Sequence, residues 1–319
     1  MGGTTTRVRF AGRTGKEAPV TTHTLSGTEL TLSSGDYTAR VVTVGAGLAG
    51  LDWRGHRIVL PHGADQVPPA YMGKVLVPWP NRIAGGAYTW QGRRYSVPVN
   101  EPELGTALHG LAAWTDWRVV HADSDSATLG LFVAPTYGYP WPLQAWATYA
   151  VDAARGLSVT VSTKNTGQAA APYGTGVHPY LTVDGHPADS YELTVPASSA
   201  LTTDASLIPT GRVAVDEAGV DFREPALIGG RSIDHAFTDI RAGGAWTASI
   251  LHRGTGIGAA ITADTPWVQV YSGEQVSRRG VAIEPMTCPP NAFNSHTDLA
   301  VLEPGQTHSM TVGIHGFAL

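Results

Sequence analysis

The chain has 319 residues, with 21 Lys plus Arg against 26 Asp plus Glu, and its net charge of −5 gives no basic footprint for a phosphate backbone or an anionic bilayer surface. Nucleic acid and membrane are therefore not expected partners. The single cysteine, Cys288, rules out an intramolecular disulfide and a thiolate-built metal site.

Charged residues make up only 15 % of the chain, whereas it holds 38 Gly, 22 Pro, 9 Trp and 11 Tyr. That balance suits many short strands joined by tight turns. No run of 18 apolar residues occurs, and residues 1–24 lack an apolar core behind their basic residues, so a cytoplasmic, unexported protein is expected. The length allows two average domains, but β-sandwiches of this size often form one unit, and no linker-like stretch divides the chain. One domain over 1–319 is expected.

Residues 1–26, rich in Gly and Thr, read as a weakly structured leader. From there, strand-like runs recur at Glu29–Leu32, Tyr37–Val44, Ser126–Val133, Trp146–Val151, Leu157–Thr163 and Trp246–Leu251. In the run from Leu157 to Thr163 apolar residues alternate with small polar ones, the period of a sheet with one buried face. Helical periodicity over 11 or more residues is absent, and no repeat of solenoid length appears. The fold class predicted is all-β, a large antiparallel β-sandwich with few short helices.

Gly45-Ala46-Gly47-Leu48-Ala49-Gly50 matches the G-x-G-x-x-G pattern of dinucleotide-binding turns. Such a turn needs a following helix to aim its N-terminus at the pyrophosphate, and Leu51 to Pro61 reads instead as strand, turn, strand. Close backbone approach at a hairpin is the better reading. Gly254, Gly256 and Gly258 receive the same one. The 12 histidines show no H-x-H, H-E-x-x-H or Cys/His spacing, so neither a metal nor another cofactor is predicted.

The segments that could carry chemistry are Pro78-Trp79-Pro80-Asn81-Arg82-Ile83, Leu108-His109-Gly110, Gly176-Val177-His178-Pro179-Tyr180, Ile233-Asp234-His235, Val268-Gln269-Val270 and Ile283-Glu284-Pro285 followed by Pro289-Pro290-Asn291. Taken in this order they resemble the aldose 1-epimerase (galactose mutarotase-like) family. The Pro78-to-Arg82 segment looks closer to a branch of the family that includes mutarotases of sulfonated hexoses than to the typical galactose mutarotases. The resemblance implies a β-sandwich that binds a monosaccharide without a cofactor, as a monomer or homodimer. It also implies catalytic roles for Glu284 and His178 and sugar-binding roles for Arg82, His109, Asp234, Gln269 and Asn81.

The chemistry of anomer exchange supports the same pair. A proton must leave the C1 hydroxyl while another reaches the ring oxygen, and a carboxylate with an imidazole can do both near neutral pH. Glu284 is the expected general base, His178 the general acid, His109 a donor to the ring oxygen or an adjacent hydroxyl, and Trp79 an aromatic cover for the ring's C–H face. Plainer readings stand beside these. Arg82 can pair with a surface acid, Asp234 can close an Asx turn, His178 can be a bonded turn residue and Trp79 can be a packing residue. A non-catalytic carbohydrate-binding module and a glycoside hydrolase using Asp234 as the second carboxylate are the rival functions.

Overall fold

A computed structural model describes residues 24–240 and 244–319. Most of the expected leader lies outside the described residues. Its last part does not: Ser26 is buried, its N–H donates to the Ala64 carbonyl and its hydroxyl to that of Gln66, so this residue already belongs to the packed chain.

Two large antiparallel sheets face each other across one apolar core, one with 12 strands and one with 9. The strand runs read from the sequence all appear, several of them extended, as at Leu143–Asp152, Gly156–Asn165 and Trp246–His252, whereas the run from Tyr37 ends as a strand at Val42 rather than Val44. Alternation decides their faces. Leu157, Val159 and Val161 enter the core, whereas Thr160 and Ser162 meet Thr311 and Ser309 hydroxyls across the strand pair at 2.9 and 2.8 Å. Among the described residues no helix is long and apolar enough to cross a membrane, and the α-helix found is the single turn Ala292–Ser295.

The glycine-rich stretch leads into a hairpin, strands Gly47–Trp53 and His56–Val59 turning at Arg54 and Gly55. A Cβ on Gly45, whose φ is +72°, would lie 2.2 Å from the Ala113 carbonyl oxygen, so the position needs glycine for a close backbone approach rather than for a nucleotide.

Central strands of the larger sheet are buried on both faces, as a covered sheet requires. Along Val281–Met286, the side chains of Val281 and Ile283 join the main core; Ala282 and Met286 join separate small apolar clusters on the other face. Glu284 shares that second face, between the two clusters. Its neighbour in register is Gln269 on Trp267–Tyr271, and Asp234 begins the next strand, Asp234–Ile240. A polar row thus crosses adjacent strands with apolar groups at either end.

Lys74 is a costly feature of this core. It is fully buried, its Nζ donates to the Val44 carbonyl at 2.6 Å and lies 5.0 Å from the Trp114 ring centre, and burial lowers its pKa to about 8. A depressed lysine favours the folded state fully above its unfolded pKa, and that contribution is lost as pH falls through the folded value. At pH 7 the ammonium is therefore a net cost. Lys74→Met should raise stability at pH 7 by roughly 1–3 kcal/mol after loss of the hydrogen bond, with the gain shrinking toward pH 10. Urea melts of both proteins at pH 7 and 10 test this; an equal or larger gain at pH 10 would contradict it.

Candidate functional site

A cleft of about 470 Å³ opens on this polar row and is lined by Asn81, Arg82, His109, His178, Asp234, Gln269 and Glu284, together with Tyr71, Glu101 and Trp114. All but one of the residues singled out from the sequence meet here. Three different local devices bring them together.

The first is sheet register, which sets Gln269 directly opposite Glu284. Gln269 Nε2 donates to Asp234 Oδ1 at 2.6 Å, which fixes the amide and aims the carboxylate. The second is the turn between strands Gly176–Val177 and Tyr180–Leu181, from which His178 projects so that its Nε2 lies 3.4 Å from Glu284 Oε1.

The third is a clasp between two left-handed residues, Asn81 at φ 55° and His109 at φ 61°. The His109 N–H donates to the Asn81 carbonyl at 2.9 Å, and the Asn81 N–H donates to His109 Nδ1 at 3.1 Å. Non-glycine residues held in this conformation need surrounding structure to over-determine them. Asn291 supplies part of it, its N–H bonding the Arg82 carbonyl at 2.7 Å and its Oδ1 accepting the Ala84 N–H at 3.1 Å. Gly110 supplies another part, because a Cβ there would fall 2.3 Å from the Val77 carbonyl oxygen.

The clasp also decides a protonation state. A backbone N–H can only donate, so His109 Nδ1 must carry a lone pair and the proton of the neutral ring resides on Nε2. Burial first, then the charges of His178 and Arg82, push the His109 pKa well below its usual value. His109 is thereby a fixed neutral donor. This bears on a cluster that sequence spacing did not reveal: ligand-type atoms of His109, His178 and Glu284 lie within 4.8 Å of one another. The distances suit a divalent cation, but both His109 nitrogens are committed, one as acceptor for Asn81 and one as N–H, so the donor set does not fit a metal.

Glu284 and His178 are both almost completely buried. Burial, reinforced by the negative Asp234 and opposed by Arg82, holds the Glu284 carboxyl well above the usual range; burial pushes the His178 imidazole down. Between them the pair holds one proton over a wide pH range. Glu284 Oε2, Gln269 Oε1 and His178 Nδ1 are buried with no hydrogen-bond partner among the described residues, a concentration of unmet polar groups that ordinary cores avoid.

Arg82 is paired, as its plainer reading anticipated. Its Nε and Nη2 donate to the Glu101 carboxylate at 2.8 and 2.9 Å while it lines the cleft. Trp79 requires a correction. Its ring is buried, edge-on to Phe293 at 5.5 Å, and its Nε1–H donates to the Ala107 carbonyl, so it belongs to the core and not to the cleft wall. Trp79 lies in the connection between strands Val75–Leu76 and Arg82–Ala84, and the apolar pocket behind the clasp takes its ring.

The aromatic wall is formed instead by Tyr71 and Trp114, whose ring centres lie 5.2 Å apart; Tyr71 also packs on His109 at 4.7 Å. Nothing in the local sequence marks these two, because they reach the cleft from loops whose course depends on the packed sheets. Trp79→Ala should cost about 3–5 kcal/mol of stability by opening a cavity. Trp114→Ala, at a side chain 45 % exposed, should leave stability nearly unchanged and raise KM several-fold, about the size of one stacking contact. Thermal melts and saturation kinetics on both variants separate the roles; reversed outcomes would reverse the assignment.

Residues 28–315 match the family described as aldose 1-epimerase. The chain is 44 % identical over 291 residues to uncharacterized protein YihR of Escherichia coli K12, covering 91 % of this chain and 94 % of that one. It is 27 % identical over 275 residues to galactose mutarotase of Sus scrofa, covering 76 % and 77 % of the two chains. Among solved structures, the GalM/aldose epimerase homologue from C. elegans superposes with a TM-score of 0.82 at 20 % identity, over 92 % of this chain and 99 % of that one. Galactose 1-epimerase from Lactobacillus acidophilus does so with a TM-score of 0.78 at 18 % identity, over 91 % and 94 %. These two likenesses agree on the antiparallel sandwich.

Proposed function

Because the chain belongs to the aldose 1-epimerase family, we propose that it interconverts the α and β anomers of a hexose, with Glu284 and His178 moving protons at opposite ends of the hemiacetal. The observation that carries this reading is the approach of the two side chains to 3.4 Å inside a buried cleft. Glu284 takes the proton of the C1 hydroxyl as His178 gives one to the ring oxygen. The C1–O5 bond breaks, its electron pair goes to the ring oxygen, and C1 becomes a carbonyl. Rotation about C1–C2 presents the other carbonyl face, and ring closure returns both protons. The hydroxyl released at C5 gives its proton to His178, and Glu284 protonates the new C1 oxygen.

Burial sets the proton affinities for this task. A carboxylate with a raised pKa is a strong base, and an imidazolium with a lowered one is a strong acid. The resting pair keeps its proton on Glu284; the working arrangement has it on His178. His109, locked as an Nε2–H donor, can hold the developing alkoxide or a neighbouring hydroxyl. Asp234 and Gln269 supply acceptors and donors for the remaining hydroxyls.

A pH signature follows. Activity tracks the range in which the pair carries one proton. On the acid side it falls as a second proton reaches His178, at a pH below the ordinary histidine value of about 6.5. On the alkaline side it falls as the shared proton leaves, above the ordinary carboxylate value of about 4.3 by a wide margin. A profile of kcat/KM against pH with its acid limb near 6.5 would contradict this assignment.

The reaction itself is tested by following the optical rotation of freshly dissolved α-glucose, α-galactose and 6-sulfonated α-glucose with and without the protein. Acceleration by catalytic amounts is the expected result for at least one of them. The galactose mutarotase relatives favour a neutral hexose, and the Pro78-to-Arg82 segment favours the 6-sulfonated one, so the panel also assigns the substrate. Binding without acceleration would instead indicate a carbohydrate-binding module, and release of sugar from aryl glycosides a hydrolase.

A further inference from the structure

Arg82 is the only Lys or Arg among the described residues that line the cleft, and its nearest acid is Glu101, not a member of the inner polar row. Glu101 is held firmly for a loop residue. Its backbone exchanges hydrogen bonds with Thr106 in both directions, and the buried Thr106 hydroxyl donates to its Oε2 at 2.5 Å. The guanidinium therefore meets a fixed two-pronged acceptor, which sets its plane. The free Nη1 edge turns to Asn81 Oδ1 at 3.4 Å, beside the His109 clasp.

Remove the charge of Glu101 and the balance changes. The carboxylates then left in the cleft wall are Glu103, Asp234 and Glu284, and the last two already feel Arg82: its charge lowers each of their pKa values. Movement of the guanidinium toward them would place it where sugar hydroxyls must lie and would hold Glu284 ionised as a weaker base. The groups facing Glu284 are His178, His109, Tyr180, Asp234 and Arg82, and Arg82 alone among them carries a permanent positive charge.

We propose that Glu101 is a positioning residue for the anomer exchange: by gripping Arg82 through both oxygens it keeps the guanidinium off Asp234 and Glu284, leaving the sugar's place open and the base strong. Glu101 itself does not touch the reacting atoms. The inference rests on the proposed reaction, and it deepens that reading by giving the site an outer carboxylate that sets the inner one.

The test uses Glu101→Gln, nearly the same shape without the charge, together with Glu101→Asp and Glu101→Ala, each checked for an unchanged circular dichroism spectrum. Anomer exchange gives kcat and KM, and carbon-13 carboxyl NMR follows the titration of Glu284. In Glu101→Gln, KM should rise roughly tenfold, the equivalent of one charge-assisted hydrogen bond. The alkaline limb of kcat/KM and the Glu284 titration should both move to lower pH. Glu101→Asp should return the titration toward the wild-type position, and Glu101→Ala should behave like the Gln variant or worse. A folded Glu101→Gln with wild-type KM and an unmoved Glu284 titration overturns the proposal. If the wild type accelerates no anomer exchange yet the Glu284 titration still falls in Glu101→Gln, the proposed reaction is lost while the hold of Glu101 on Arg82 stands.

Discussion

Glu284→Gln should lower kcat for anomer exchange by about 100- to 10,000-fold, the range that one positioned general base contributes, while sugar binding stays measurable. The amide keeps the shape of the carboxyl and can still accept through its carbonyl oxygen, but it cannot take a proton from the C1 hydroxyl. Gln269 and Asp234, bonded to each other at 2.6 Å, keep their places, so the sugar retains most of its hydroxyl partners. The same variant should gain stability. A buried carboxyl with a raised pKa contributes its full stability below the unfolded pKa and loses it as pH rises through the folded one, because the folded state must then accommodate an unpaired charge. Glutamine has nothing to ionise. The melting temperature of Glu284→Gln should therefore equal that of the wild type near pH 4 and exceed it at pH 9. Full activity in the variant would remove Glu284 from the chemistry, and a lower melting temperature at pH 9 would show that its charge is compensated in the folded protein.

His178→Asn should produce a loss of similar size, about 100- to 10,000-fold in kcat, with a different pH signature. Asparagine can donate a hydrogen bond to the ring oxygen but cannot transfer a proton to it. The shared proton is no longer needed once the imidazole is gone, so the residual activity should lack the alkaline limb seen in the wild type and rise with pH through a single step, the ionisation of Glu284. Loss of the imidazole also frees space beside Tyr180, whose ring stacks on His178 at 5.2 Å, and a modest drop in stability is expected from that contact. Retention of the alkaline limb in His178→Asn would assign that limb to another group, His109 being the nearest candidate.

Much of this architecture was legible in the residues, and the parts that were not share a physical cause. Strands announce themselves locally: alternation from Leu157 to Thr163 states both the element and its buried face, and the hairpin after Gly50 is visible in Arg54-Gly55. The segments bearing Asn81, His109, His178, Asp234, Gln269 and Glu284 were marked by their order along the chain, and the fold gathers their side chains around one cleft. Trp79 misled because a tryptophan beside a polar loop motif looks like a sugar platform, whereas its direction depends on the pocket formed by Phe293, far along the chain. Tyr71, Glu101 and Trp114 carried no local signal, since their approach to the cleft is set by loop paths over the packed sheets. The His109 tautomer was equally hidden: it hangs on a backbone N–H of Asn81 that only the folded clasp aims at the ring.

The most direct measurement is two-dimensional exchange NMR on a hexose already at anomeric equilibrium, where no net change occurs and only the interconversion rate is read. With wild-type protein, cross-peaks between the α and β anomeric protons should grow in proportion to enzyme concentration for at least one hexose of the panel, and should vanish at equal concentration of Glu284→Gln. Cross-peaks no stronger than in buffer for every hexose, or equally strong with Glu284→Gln as with wild type, would contradict the account.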